Sequence, residues 1–268
     1  MKIKIMWIIG FFILCIAVYN YIQISQLTVE RPIFYSKKLS KDLRITQISD
    51  YHNNRRINIK TLLDEIDRFN PHIIALTGDL IDSRTKDIEP TLDLISRLVE
   101  INKNIFFVIG NHELRSIYGN EFISKIKDMK VTVLDNDNRV INIDKRNINI
   151  LGLNFFASKD DYRKTLEGID PENYTILLSH SPNRPISYVQ VIEDLILSGH
   201  THGGQVRLPF IGAIVAPGQG YFPKYDKGIF HLDNTILYID SGLGNSLLPI
   251  RFLNPVQISN ITIKTMNN

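Results

Sequence analysis

Five short polar blocks stand out by residue type: Asp50-Tyr51-His52, Gly78-Asp79-Leu80-Ile81-Asp82, Gly110-Asn111-His112-Glu113, Ser179-His180-Ser181-Pro182 and Gly199-His200-Thr201-His202. Each follows an apolar run, so each offers a carboxylate, an amide or an imidazole at the end of a strand-like segment. That donor set suits divalent ions of borderline or harder character, such as Mn, Fe or Zn. Thiolates are missing, because the single cysteine, Cys15, sits in an apolar N-terminal run. A cysteine-built zinc site and an intrachain disulfide are therefore excluded. Taken one at a time the blocks are weak signals, since a Gly-Asp pair usually marks a turn and a strand-end histidine is usually scaffold. Their ordered recurrence points to a metal centre.

The intervening segments supply a frame that gathers these blocks. Leu43 to Ser49 alternates as a strand, and Ile59, Leu62, Leu63, Ile66 and Phe69 recur at helical spacing until Asn70-Pro71 stops them. His72 to Thr77 and Ile105 to Ile109 are short apolar runs suited to strands buried on both faces, with a second helical pattern from Ile88 to Val99 between them. A further helix is expected around Phe122 to Ile126, and then strands at 131–134, 140–143, 148–153, 175–178 and 195–198. The last third, from Gln205 to Ile263, reads as more sheet. Strand-helix-strand alternation implies an open α/β sheet, whose ligands collect just past the carboxyl ends of the strands. Gly78, Gly110 and Gly199 each precede a candidate ligand, where the chain turning out of a strand often needs a conformation open only to glycine.

The five blocks, in this order, resemble the calcineurin-like metallophosphoesterases, whose pattern is D-x-H, G-D-x-x-D, G-N-H-D/E, H and G-H-x-H. The run from Leu197 to Gln205 and the tail Gly242-Leu243-Gly244-Asn245-Ser246 through Pro249-Ile250-Arg251 are similar to a membrane-associated bacterial subgroup that includes the YkuE-like and YaeI-like phosphoesterases. The resemblance covers Leu43 to the C-terminus and implies a four-layer α-β-β-α sandwich, two mixed sheets flanked by helices. It implies Asp50, His52 and His202 as ligands of one metal, Asn111, His180 and His200 as ligands of a second, and Asp79 as the bridge between them. It also implies that His112 is catalytic rather than a ligand, contacting phosphoryl oxygens or protonating the leaving group, with Asp82 orienting its imidazole. Arg251 is a candidate phosphate contact. Tyr51 stands where the family commonly has an aliphatic residue. Pro255-Val256-Gln257 departs from the subgroup's Pro-Glu, so no role is carried over there.

The implied activity is hydrolysis of a phosphomonoester, phosphodiester or pyrophosphate by water activated between two divalent ions. A nuclease of the same fold is the first alternative. The net charge of +3 over 268 residues, with Lys and Arg scattered among Asp and Glu, gives no basic groove for nucleic acid. A catalytically silent metal-binding module is the second. Hydrophobic residues at 44% and charged residues at 22% describe an ordinary globular chain, long enough for one catalytic domain. His72, His231 and the acidic trio Asp64, Glu65 and Asp67 read as structural or solvated groups.

No charged residue occurs from Ile5 to Val29, and Ile5 to Val18 is almost continuously apolar. With its aromatic flank this run reaches the roughly 20 residues of a membrane-spanning helix. It is read as an uncleaved anchor over residues 1–27, followed by a juxtamembrane connection over 28–42 and the catalytic domain over 43–268. No small-x-small cleavage site follows it, and a helix without a polar face would need covering on all sides within a soluble domain. Lys2 and Lys4 favour a single-pass protein of the cell membrane, with the catalytic domain outside the cytoplasm. The expected substrate is a phosphorylated small molecule or a lipid-linked phosphate.

Overall fold

The computed structural model describes residues 2–189, 192–245 and 248–266. Met1 of the expected anchor and Ser246 of the C-terminal motif lie outside the described residues. Two mixed sheets pack face to face. In the first, Leu43–Ile48, Ile73–Leu76, Ile105–Val108 and Thr132–Leu134 run parallel in that order, with Ile45 opposite Ile73 and Ile74 opposite Ile105. In the second, Arg146–Leu153, Tyr174–Ser179, Leu195–Ser198 and Thr235–Ile239 run parallel, and antiparallel strands Asp137–Ile143 and Gly228–Leu232 close the two edges.

The apolar faces form three cores and hence four layers. One core joins the first sheet to helices Ile59–Phe69, Glu89–Ile101 and Gly119–Asp128, through Leu62, Ile66, Leu92, Ile95, Phe122 and Ile126. A second fills the space between the sheets with side chains such as Ile45, Ala75, Val108, Ile150, Leu178 and Leu197. The third lies under the short helices Lys159–Thr165 and Asn183–Tyr188. The first of the long helices shows why the sequence breaks where it does. Asn58 caps it by accepting the Thr61 amide, and Asn70 ends it in the left-handed conformation at φ 50°.

Two expectations change. Residues 28–42 are more than a connection, because Thr28–Glu30 and Ile33–Ser36 both pair in parallel with the last strand, Gln257–Thr265. The sheet that carries the site therefore starts at Thr28. The last third is less of a sheet than its β-branched composition suggests: two hairpins of two-residue strands occupy 207–221, joined to the preceding block by a 3-10 turn at His202–Gly204.

The N-terminal helix runs from Lys2 to Ser25, and residues 3–18 are exposed along their whole length. It is no core helix of the domain; by length and composition it is a candidate membrane span. Its last two turns are fastened to the domain. Tyr19 Oη accepts the Leu253 amide, Asn20 accepts the Arg251 amide and donates to the Pro249 carbonyl, and Gln23 accepts the Asn254 amide.

Candidate metal centre

Each candidate ligand follows a parallel strand on the edge that the two sheets share. Asp50 and His52 follow Leu43–Ile48, Asp79 follows Ile73–Leu76, Asn111 follows Ile105–Val108, His180 follows Tyr174–Ser179, and His200 and His202 follow Leu195–Ser198. Gln47 holds the two strand ends in register across the interior, donating to the Ser198 carbonyl at 2.9 Å and to Thr77 Oγ1 at 3.0 Å. All seven residues come together. Asp50, His52 and His202 form one cluster, Asp79, His180 and His200 a second, and His52, Asp79 and His112 a third that spans them. Asp79 Oδ2 lies 3.0 Å from His180 Nε2 and 3.9 Å from His52 Nε2, between the two groups.

Backbone strain is concentrated on the same residues. Asp50, His52, Asp79, His200 and His202 have φ between 47° and 69°, in the left-handed region that residues with a side chain rarely occupy. Such conformations cost about 1–3 kcal/mol each and persist where the surroundings over-determine them. Of the three glycines, only Gly78 is needed for its own conformation, at φ 86°. Gly110 and Gly199 are needed for space: a Cβ on Gly110 would meet Asp79 Oδ1 at 2.2 Å, and one on Gly199 would meet Ser49 Oγ at 1.8 Å.

The side chains are aimed before any ion binds. Asp50 Oδ2 accepts Ser49 Oγ at 2.5 Å and the His200 amide at 2.9 Å, which leaves Oδ1 facing His202 Nε2 at 3.4 Å. His180 holds the Thr77 carbonyl with Nδ1 at 2.8 Å, which turns Nε2 toward Asp79. Asp50 Oδ1, both ring nitrogens of His52, Asn111 Oδ1 and His202 Nδ1 are buried without a hydrogen-bond partner. Buried polar atoms in native folds are almost always paired. Asp50 Oδ1, Asn111 Oδ1 and one ring nitrogen each from His52 and His202 fit divalent ions as the missing partners, and the N and O donors agree with that chemistry.

The charges are tuned to match. Burial works against the anions, yet His180 and His52 hold Asp79 well below the usual carboxylate range, and the surrounding histidines do the same for Asp50. Burial pushes His202 down to about 3 and His200 to about 4, so both present neutral imidazoles. At His180 burial is outweighed by Asp79, which raises it to about 10.

His112 stands among the candidate ligands with Nε2 4.0 Å from Asp79 Oδ2, and its own amide donates to Asp79 Oδ1 at 2.8 Å. Its Nδ1 accepts the Ser83 amide at 3.0 Å, which leaves Nε2 to carry the proton in the neutral ring. Asp82 does not make this contact. Its Oδ2 lies 3.6 Å from the Nδ1 atoms of both His52 and His112, while its oxygens are taken by the amide and guanidinium of Arg84. The backbone of Ser83, rather than Asp82, orients the ring.

Arg251 is also placed differently from the expectation. It is 1% exposed, and its guanidinium donates to the carbonyls of Ser241, Gly242, Gly244, Asn254 and Pro255 and to Asn245 Oδ1. Those bonds consume its donors, so it is a post for the C-terminal loops and offers nothing to a phosphate. Glu113 is the group sequence reasoning passed over. Its carboxylate accepts the amides of Asp79, Leu80, Ile81 and Gly110 at 2.7–3.2 Å and pins the Asp79 loop against the Asn111 turn. Burial and the Asp79 charge push it up to about 7. The available signal was its position three residues after Gly110, at the third residue of the short helix Asn111–Arg115, from which its carboxylate reaches back to the Gly110 amide.

The ligands open onto a cleft of about 490 Å³ whose walls include Ser83, His112, Arg115, Phe155 and Pro217. Phe155 supplies an aromatic wall, its ring packing 5.2 Å from that of His200 and 6.0 Å from that of His180.

Comparison with known proteins agrees with this architecture. Residues 43–204 match the family model described as calcineurin-like phosphoesterase. The metallophosphoesterase YkuE of Bacillus subtilis, itself uncharacterized, is 30% identical over 84% of this chain and 80% of its own. A transmembrane protein with a metallophosphoesterase domain from Danio rerio is 24% identical over 93% of this chain and 60% of its own. Several bacterial relatives are likewise longer, the chain spanning less than two thirds of their length. Among solved structures, the NAD nucleotidase of Haemophilus influenzae shares the fold at a TM-score of 0.52 and 17% identity, over 76% of this chain and 51% of that one. The chain belongs to the calcineurin-like phosphoesterases.

Proposed function

We propose that the protein hydrolyses phosphate esters with two divalent metal ions, held by Asp50, His52 and His202 on one side, Asn111, His180 and His200 on the other, and Asp79 between. The observation that carries this reading is the set of candidate ligands gathered from five strand ends, with buried, unpartnered atoms on Asp50, His52, Asn111 and His202. Two ions bound there would lower the pKa of a water and neutralise charge developing on the phosphoryl oxygens. The chain supplies the rest. Asp79 and Asp50 offer carboxylate oxygens fixed by their partners, and Phe155 and Pro217 narrow the cleft. His112 Nε2–H points at the same space, placed to bond a phosphoryl oxygen or to hand its proton to the departing alkoxide.

The N-terminal helix would anchor the domain in the cell membrane as a single span, with the domain outside the cytoplasm on the bias of Lys2 and Lys4. The test is turnover by the full-length protein, loaded in turn with Mn, Fe and Zn, of p-nitrophenyl phosphate, bis(p-nitrophenyl) phosphate and pyrophosphate. Turnover that needs the ion and stops on chelation is expected. No turnover with any ion sinks the reading in favour of a silent module, and faster degradation of DNA or RNA than of small esters makes the protein a nuclease.

A further inference from the structure

We propose that the substrate is a membrane lipid with a phosphate ester in its headgroup, and that one acyl chain lies in an apolar groove running from the metal cleft to the seat of the N-terminal helix. This rests on the phosphoesterase reading above and narrows it to one substrate class.

The groove has a volume of about 490 Å³ and is lined by Val206, Ile214, Val215, Ala216, Leu248 and Ile250, with few polar atoms among them. Pro217 belongs to its wall and to the wall of the metal cleft, and Thr201 lies between the two ligand histidines His200 and His202. The two spaces are therefore neighbours across Pro217, one lined by the candidate ligands and one apolar. That pairing fits an amphiphile whose phosphate reaches the ions while its chain leaves along the groove.

The far end of the groove says which source the chain comes from. Leu248 and Ile250 begin the segment that fastens the N-terminal helix, through Asn20 to Pro249 and Arg251 and through Tyr19 to Leu253. Phe252 continues it, packing its ring 5.5 Å from that of Tyr19 and exchanging backbone hydrogen bonds with Gln205 and Arg207. The free part of the helix, residues 3–18, rises about 24 Å at about 1.5 Å per residue, short of the roughly 30 Å of hydrocarbon a span must cross. The missing turn is the one that carries Tyr19 and Asn20. The fastening segment therefore sits at the edge of the bilayer, and the exposed Leu248, Ile250, Phe252 and Leu253 meet lipid rather than water. An exposed apolar surface continuous with a membrane span is accounted for by lipid contact. Phe210 and Ile211 are exposed at the tip of the hairpin whose Arg207 amide donates to the Phe252 carbonyl.

The step is ordinary hydrolysis. Water's oxygen joins phosphorus, one P–O ester bond breaks, and the departing alkoxide takes up a proton. The groove selects the substrate and takes no part in the chemistry.

The test uses the full-length, metal-loaded protein in nanodiscs and two homologous series from methyl to octyl: alkyl p-nitrophenyl phosphates, followed by p-nitrophenol release, and alkyl phosphates, followed by inorganic phosphate. In whichever series turns over, kcat/KM should rise by about 2- to 4-fold per methylene as the chain fills the groove. Val215→Trp, which fills the groove, should flatten that rise, and so should Leu248→Asp. Calorimetric binding of octylphosphonate over methylphosphonate, corrected with empty nanodiscs, should follow the same order and needs no turnover. Hydrolysis independent of chain length, or a rise that survives Val215→Trp, would overturn the groove while leaving the phosphoesterase intact. No hydrolysis of any member would overturn both.

Discussion

Two buried side chains hold the two sides of the metal centre, and they do so with opposite polarity. On the side of the first sheet Glu113 is a carboxyl group that collects amides, four of them, from the loops bearing Asp79 and Asn111. On the side of the C-terminal loops Arg251 is a cation that collects carbonyls, five of them, from residues 241–255. The difference follows from what the backbone leaves unpaired. Where a strand runs into a turn ahead of a helix, amides point inward; where loops wrap the end of a sheet without helices, carbonyls do. An amide has a single donor to satisfy, whereas a carbonyl with two lone pairs tolerates the loss of one partner better. The Gly242 carbonyl, for example, also accepts the Gln257 amide. The two supports are alike in burial and unequal in what depends on them.

His112 gives the largest expected effect and sets the baseline, since it sits beside Glu113 without sharing its task. His112→Ala should lower kcat by roughly 10²–10⁴, as for other general acid–base groups, while metal content and melting temperature hold. Loss of metal would make it a ligand. Glu113→Ala should do the reverse of a purely chemical defect. Several buried amides left unpaired at about 1–3 kcal/mol each, offset by entering water, should cost about 3 kcal/mol or more. Metal affinity should fall with it; a variant that melts and loads normally would break the comparison. Arg251→Met should cost less, about 1–2 kcal/mol, because a carbonyl short of partners is tolerated better than an unpaired amide. KM for a small phosphate ester should not change, and a large rise in KM would restore Arg251 as a substrate contact. Asp82→Asn should be the mildest, slowing turnover less than about tenfold, since the Ser83 amide holds His112.

The same two residues show how far the sequence could be read. The candidate ligands were legible because carboxylate, amide and imidazole recur at strand ends in a fixed order, and the strands themselves because their apolar runs are local patterns. Glu113 was in plain view within Gly110-Asn111-His112-Glu113, but a carboxylate that binds a metal and one that gathers amides look alike until the chain is folded. Arg251 was misread for the mirror reason, since phosphate oxygens and carbonyl oxygens suit a guanidinium equally. The strands at Thr28–Glu30 and Ile33–Ser36 were hidden because their partner lies at Gln257–Thr265, far along the chain, and Pro32 interrupts their pattern. The hairpins of 207–221 were unreadable as such, since two-residue strands carry no period.

The central claim is a pair of ions joined by Asp79, and the most direct measurement is metal content per chain, with phosphate-ester turnover, for the full-length protein and Asp79→Asn. The account predicts two divalent ions per chain and ion-dependent turnover in the unaltered protein, with both ions and activity largely lost in the variant. Two retained ions with near-normal turnover in Asp79→Asn, or a single ion in the fully active protein, would contradict it.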